Sequence, residues 1–206
     1  MATISVRMIS ASMYKVPLNM VYTDRISSGE MDWTSIVCGY RYERALEESI
    51  INSNNEVSQR MAYSLGNNKW RVFREVLAPY MSPDPDSLEE KFFENNFSTA
   101  RQMIYCLKLL YDNPERFPRV LDTMKRAEPK NYFNYHPQSV EVAHKYGYLV
   151  DGNNLVLNDC GVIFTEEPFC LVVFTEGINK PYEFLADYCT LMIDYTEYHT
   201  RLRREE

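Results

Sequence analysis

The chain has 206 residues, of which 45% are hydrophobic and 14% aromatic, so it is long enough to bury one substantial core. Its net charge of −7 argues against a nucleic acid or an anionic membrane as partner, and no apolar run reaches the roughly 20 residues that span a bilayer. Five cysteines, far apart and odd in number, and three dispersed histidines predict free thiols without a disulfide framework or a metal site, and no cofactor is expected.

The first predicted helix lies in the segment SASMYKVPL and runs to about Ile26. Ser12 and Lys15 are three residues apart, so on a helix they lie on one face. A lysine held among apolar groups loses proton affinity and can act as a base. The same spacing also fits a capping serine followed by a lysine that extends to solvent, and a chain of this length contains roughly one such pair by chance.

Apolar residues at helical spacing predict further helices in YERALEESIINSN, in EVSQRMAYSLGNN with Gly66 as its C-cap, and in KWRVFREVL. The segment APYMSPDPDSLEEKFFENNFS is rich in proline and acidic residues and predicts a loop with at most one turn of helix. The clearest predicted helix is STARQMIYCLKLLYDN, capped by Ser98 or Thr99. PERFPRVLDTMKRAEP predicts a helical continuation between prolines.

From Ser139 the hydrophobic period changes to two. The runs SVEVAHKYGYLV, NLVLNDCGVIFT and PFCLVVFTEG, separated by DGNN and EEP, predict consecutive antiparallel hairpins. The chain then ends in an amphipathic helix, PYEFLADYCTLMIDYTEYHTRLRREE. We expect the inner side of this helix to contain Phe184, Leu185, Tyr188, Leu191 and Met192. The predicted fold class is α+β, with helices packed on an antiparallel sheet.

Two further short motifs accompany the serine–lysine pair. Ser53-Asn54-Asn55 lies between two predicted helices, where alone it is typical of a helix cap. Lys145-Tyr146-Gly147 lies inside a predicted strand, where alone it fits a bulge with a solvated lysine; a glycine there weakens a strand unless something approaches its backbone. Together, Ser-x-x-Lys, Ser-x-Asn and Lys-x-Gly in this order are typical of the penicillin-recognising serine hydrolases.

The chain resembles that superfamily, and especially its class A β-lactamase-like branch, from about residue 5 to 195. The flanking segments ESIINSNNEVSQRMAYSLG and NNFSTARQMIYCLKLLYDN are similar to the family's second motif and to the helix after its Ω-loop. The resemblance implies one β-lactamase/DD-peptidase-like domain over residues 1–206, with a helical lobe at about 12–137 and the sheet with its C-terminal helix at about 138–206. It also implies a β-lactam or a peptidoglycan peptide as ligand, in the cell envelope or outside the cell.

The resemblance also assigns catalytic roles. Ser12 is the implied nucleophile, which attacks a carbonyl to form an acyl-enzyme, and Lys15 is the implied base that takes its proton. Ser53 relays a proton towards the leaving nitrogen. Lys145 supplies positive charge for a substrate carboxylate.

The implied substrate-binding residues surround this group. Asn55 hydrogen-bonds Lys15 and the substrate amide, and Gly147 lets the strand backbone come close to the ligand. The backbone N–H groups of Ser12 and Tyr148 form an oxyanion hole. Tyr146 completes the third motif.

Three departures from the family pattern bear on activity. Asn54 replaces an aspartate, a change that we expect to be tolerated. Tyr146 replaces a threonine or serine, and a phenol cannot place its hydroxyl where that short side chain does. The loop MSPDPDSLEEKFFENN lacks the Glu-x-x-x-Asn pattern whose glutamate activates the deacylating water in class A β-lactamases. The acidic residues that it does contain are better explained as solvated loop charges: Asp84, Asp86, Glu89 and Glu90. We therefore expect an acyl-enzyme that forms and persists.

Family members have a helix and two strands before the nucleophile helix, whereas Met1 lies only eleven residues before Ser12. We expect a sheet without two of its strands, with PFCLVVFT as an uncovered edge. Either the sequence is a fragment of a longer chain, or the chain pairs with itself, or with a separate segment, along residues Pro168 to Thr175. Three interpretations stay open at this point: a serine acyl hydrolase, a non-turnover binding or sensor module on the same fold, and a remnant without activity.

Overall fold

The computed structural model describes residues 6–128 and 130–205. None of the helices in these residues is both long and apolar enough to cross a bilayer. The helices are α1 Lys15–Ser27, α2 Tyr42–Ile50, α3 Asn55–Leu65, α4 Trp70–Met81, α5 Glu90–Glu94, α6 Ala100–Asp112, α7 Val120–Met124 and α8 Pro181–Glu205. The strands are β1 Met8–Ile9, β2 Ile36–Val37, β3 Tyr40–Arg41, β4 Phe97–Ser98, β5 Val142–Asp151, β6 Asn154–Ile163 and β7 Phe169–Val173.

Helix α1 forms the centre of the helical lobe. Every residue from Lys15 to Thr23 is buried, as in a helix that is surrounded by protein on all sides. Helices α2, α3, α4, α6 and α7 pack around it, and their apolar faces form one continuous core. All five cysteines are free thiols, as predicted, and Cys106 and Cys160 belong to this core.

The main sheet has three antiparallel strands in the order β5-β6-β7. One face packs on the helical lobe through Ala143, Cys160 and Val162. The other face packs on α8 through Leu157 and Leu171. The predicted hairpins are therefore confirmed. Among the described residues, β7 pairs along its length with β6 alone, so its other edge carries no strand.

The proline-rich segment contains more helix than we predicted. Helix α4 continues through Pro79 to Met81, because a proline in the last turn lacks only one amide donor and its neighbours Ala78 and Met81 are buried. The segment that follows contains a 3₁₀ turn at Pro85–Ser87 and the short helix α5, more than the single turn expected. In the segment PERFPRVLDTMKRAEP, by contrast, the predicted helical continuation is limited to the five residues of α7.

The prediction for the inner side of α8 was wrong for three of its five residues. Leu185 is buried and Met192 is half-buried, but Phe184, Tyr188 and Leu191 are exposed. The buried positions are instead Leu185, Ala186, Cys189, Ile193 and Thr200. Helix α8 therefore has two apolar stripes, and the smaller side chains face the sheet.

Candidate active site

Ser12 lies in a single 3₁₀ turn, Ala11–Tyr14, that leads directly into α1. The backbone before it is held from two sides: Asn96 donates its side-chain amide to the Ala11 carbonyl at 2.7 Å, and Asn158 donates to the Ile9 carbonyl at 2.7 Å. Ala11 has a positive φ of 47°, which is strained for a residue with a Cβ. The fold thus fixes the position of Ser12, whose residue surface is 9% exposed.

Lys15, one turn after Ser12, is completely buried. Its amine donates to the Ser53 carbonyl at 2.7 Å, to Asn55 Oδ1 at 2.7 Å and to Ser53 Oγ at 3.1 Å. Burial lowers the pKa of Lys15 to about 7, so roughly half of this amine is neutral at neutral pH. Of the two alternatives for Lys15, the fold adopts the buried side chain and not the one that extends to solvent.

The turn between α2 and α3 presents Ser53 and Asn55 to Lys15. Asn54 is the N-cap of α3 and accepts a hydrogen bond from the Val57 amide at 3.2 Å. Because Asn54 does the capping, the side chains on either side of it are free to face the lysine. In this position the backbone of Ser53 is strained, with a φ of 48°.

Lys145 on β5 approaches the same serine from the opposite side. Its amine donates to Ser53 Oγ at 3.0 Å and to the Tyr146 carbonyl at 3.0 Å. Ser53 Oγ therefore accepts from two lysines. Burial and the neighbouring charge of Lys15 hold the pKa of Lys145 well below its ordinary value.

Tyr146 covers the amine of Lys145. The Lys145 Nζ lies 3.4 Å from the centre of the Tyr146 ring, and Lys145 is completely buried. The ring stacks on Tyr132 with 4.5 Å between centroids, and its hydroxyl donates to the Ile51 carbonyl at 3.2 Å. In this arrangement no face of the Lys145 amine is open to a carboxylate from solvent.

Gly147 brings β5 against the nucleophile turn. A Cβ at this position would lie 2.9 Å from the Ser10 carbonyl oxygen and 3.2 Å from the Ser12 amide nitrogen. Such contacts are too short for any other residue. The glycine therefore permits the close approach of two backbones within the protein; the approach of its backbone to a ligand stays a prediction.

The predicted site residues are not all hydrogen-bonded to one another. Lys15, Ser53, Asn55 and Lys145 form one hydrogen-bonded cluster, but within the described residues Ser12 Oγ has no hydrogen bond to Lys15 or Ser53. The side chain of Tyr148, next to Gly147 on β5, is more than half exposed.

The acidic residues of the loop before α6 are engaged at the surface. Glu89 forms an ion pair with Arg7, and Glu90 forms one with Arg71. Both glutamates are more than half exposed. Within the described residues, no carboxylate of this loop is hydrogen-bonded to the cluster of Lys15, Ser53 and Lys145.

A buried histidine–aspartate pair, which the sequence interpretation missed, lies directly beside Lys145. His144 Nδ1 is 2.7 Å from Asp159 Oδ2, and its Nε2 is 2.8 Å from the Ala127 carbonyl; both side chains are fully buried. The Ala127 carbonyl can only accept, so Nε2 carries a proton, and opposite an ionised Asp159 carboxylate Nδ1 donates as well. Burial lowers the pKa of His144, but the charge and hydrogen bond of Asp159 outweigh it, so the net pKa is raised above 6.5. No motif marks this pair, which only the register of β5 against β6 brings together.

We predict that His144→Gln destabilises the protein most at low pH. A raised folded-state pKa means that the contribution of the pair is fully present below the unfolded value of 6.5 and is lost as pH rises through the folded value. At pH 6, removing one partner of such a pair should lower the free energy of unfolding by about 3–5 kcal/mol. Denaturant unfolding of wild type and variant from pH 6 to 9 measures the difference. A difference that does not shrink with rising pH contradicts a charged His144.

A protein-family model described as the β-lactamase enzyme family matches residues 49–187, more than half of the chain. The matched region contains the motifs at Ser53 and Lys145. None of the curated proteins compared with the chain matches it.

Solved structures of similar fold cover nearly the whole chain. A β-lactamase from Chitinophaga pinensis has a TM-score of 0.72 at 16% identity, over 93% of this chain and 87% of that chain. A β-lactamase from Xanthomonas campestris has a TM-score of 0.71 at 16% identity, over 92% and 84%. PBP-A has a TM-score of 0.71 at 14% identity, over 93% and 82%, and a mutant of PBP-A is known as an acyl-enzyme complex with penicillin G. These likenesses confirm the predicted fold class.

Proposed function

The chain belongs to the β-lactamase enzyme family, and we propose that it is a serine acyl hydrolase in which Ser12 forms an acyl-enzyme with a β-lactam or a cell-wall peptide. The observation that carries the proposal is the buried amine of Lys15. It lies one helical turn after Ser12, is held by Ser53 and Asn55, and is largely able to shed its proton near pH 7. A neutral buried amine is a competent general base for a serine hydroxyl.

In the proposed acylation, Ser12 Oγ attacks the carbonyl carbon of the substrate and the carbon–nitrogen bond breaks. The hydroxyl proton passes to Lys15 and then, through Ser53 Oγ, to the leaving nitrogen. The contacts of Ser53 with both lysines, at 3.1 and 3.0 Å, support this relay. The backbone N–H groups of Ser12 and Tyr148 are proposed as the oxyanion hole. Hydrolysis of the ester by water then releases the acid and restores Ser12.

We propose that deacylation is slow. The ion pairs of Glu89 and Glu90 leave neither carboxylate near the cluster to activate water. This observation also favours the second candidate function, a non-turnover binding or sensor module on the same fold. The two candidates share acylation and differ in the lifetime of the adduct.

We predict a long-lived adduct on Ser12 after incubation with a fluorescent penicillin, detected by intact mass. Ser12→Ala should abolish the adduct because it removes the nucleophile. Ser10→Ala is the matched control: it alters the buried serine just before that turn, whose hydroxyl has no hydrogen-bond partner among the described residues, and it should keep the adduct. An adduct on the Ser12→Ala variant contradicts the assignment. Turnover at roughly 1–1,000 per second contradicts slow deacylation and favours a hydrolase with a base between Asp84 and Glu94.

We predict that the acylation rate rises with pH through about 7, because the neutral fraction of Lys15 rises there. Stopped-flow measurement of adduct formation from pH 5.5 to 8.5 follows the change. Lys15→Arg keeps a cation at the position but cannot lose its proton, so it should acylate at a small fraction of the wild-type rate. A rate that does not depend on pH in this range excludes Lys15 as the base.

We predict that Tyr146→Thr accelerates acylation by penicillins. The substitution uncovers the Lys145 amine, and a hydrogen bond to a charged group contributes about 1.5–3 kcal/mol, or roughly 10–100-fold in rate. Tyr146→Phe is the matched control because it keeps the ring over Lys145 and removes only the hydroxyl group. Equal rates for the wild type and both variants would show that the ring does not limit access.

A further inference from the structure

The exposed apolar stripe of α8 is not explained by the fold of the single chain. It consists of six large side chains, each between 38% and 60% exposed: Phe184, Tyr188, Leu191, Tyr195, Tyr198 and Leu202. We call this set the outer stripe. Their spacing of four and three residues in alternation is that of a coiled-coil seam. Soluble helices normally place such a seam against another helix, and within the described residues no element covers it.

The outer stripe points away from the sheet. On the helical wheel of α8 it lies opposite to the buried positions Leu185, Cys189 and Ile193. Asp187 and Thr190 lie between these two faces, on one flank of the stripe: Thr190 donates to Gln138 at 3.0 Å, and Asp187 lies 3.5 Å from His136.

We propose that a second copy of this chain packs on the outer stripe, with the two α8 helices antiparallel. The spacing of the stripe reads the same from either end. In an antiparallel pair, Phe184 therefore meets Leu202 of the second copy, and Leu191 meets Tyr195 of the second copy. A self-complementary surface of this kind is what a two-fold interface requires.

The charges that flank the stripe also fit this orientation. Asp187 lies near its beginning and Arg201 near its end, two heptads apart on the same flank. An antiparallel pair brings Asp187 of one copy close to Arg201 of the other, twice over. Arg201 is exposed, and within the described residues it has no ion-pair partner in its own chain. A parallel pair would leave Asp187 of one copy and Arg201 of the other two heptads apart.

The area is sufficient for a stable dimer. Side chains of this size expose about 150–250 Å² when free, so six that are about half exposed offer roughly 600 Å² per copy. Two copies bury about 1,200 Å², the lower limit of stable interfaces.

Light scattering of the full chain after gel filtration at micromolar concentration tests the proposal, and the expected mass is that of two chains. Tyr195→Glu should give a monomer with unchanged circular dichroism. Tyr63→Glu is the matched control, because Tyr63 is an aromatic side chain 44% exposed on α3, and it should stay dimeric. A monomeric wild type, or a Tyr195→Glu variant that stays dimeric, overturns the proposal.

A charge exchange tests the orientation. Asp187→Arg alone should weaken the dimer at least about tenfold by sedimentation equilibrium, because it faces Arg201 of the second copy. The double variant Asp187→Arg with Arg201→Asp should restore it. Failure of the double variant to dimerise better than the single one excludes the antiparallel arrangement. None of these residues contacts the cluster around Ser53, so adduct formation on Ser12 should not change.

Discussion

Two lysine amines share one serine hydroxyl in the interior of this molecule, and the rest of the structure is organised around that contact. Each amine is removed from water, which favours its neutral form, and the two charges oppose each other. Such a cluster is stable only if every remaining hydrogen bond is made. The Ser53 carbonyl, Asn55 and the Tyr146 carbonyl supply those bonds, and left-handed backbone at Ser53 is the conformation that allows it.

The sheet positions Lys145 for the same contact with Ser53 from the other side. Lys145 reaches Ser53 because Gly147 lets β5 lie against the Ser10–Ser12 backbone, closer than any side chain would permit. Next to Lys145, the charged pair of His144 and Asp159 ties β5 to β6 and to the Ala127 carbonyl. The contacts of His144, Lys145 and Gly147 hold this part of β5 in place. The two lysines differ in what lowers their pKa: burial lowers the pKa of Lys15 to about 7, whereas burial and the charge of Lys15 hold the pKa of Lys145 well below its ordinary value.

The sequence predicted the site through local patterns and missed what depends on tertiary contact. Ser12, Ser53 and Lys145 could be found because each motif occupies a few consecutive residues. The position of the Tyr146 ring over the Lys145 amine could not be predicted, because it depends on the orientation of that ring and on its stacking with Tyr132. The inner face of α8 failed for a related reason: the helix has two apolar stripes, and the stripe with the larger and more regular side chains faces outward. Periodicity identifies an apolar face but not its partner.

In the proposed mechanism, two factors limit the reaction: the access of a ligand to the Lys145 amine and the activation of the deacylating water. The base for Ser12 is not limiting. In the proposed mechanism, the pKa of about 7 leaves Lys15 neutral in a large fraction of molecules at neutral pH, so proton removal from Ser12 does not limit acylation. The Lys145 amine, by contrast, is occupied by Ser53 and by the Tyr146 ring, so a ligand carboxylate must displace an aromatic side chain to reach it. After acylation, a water would need its own base, and Glu89 and Glu90 are held in ion pairs at the surface. In the proposed mechanism, an available base for Ser12, a covered Lys145 amine and the engagement of Glu89 and Glu90 at the surface give slow acylation by ligands that carry a carboxylate, and a long-lived adduct once it has formed.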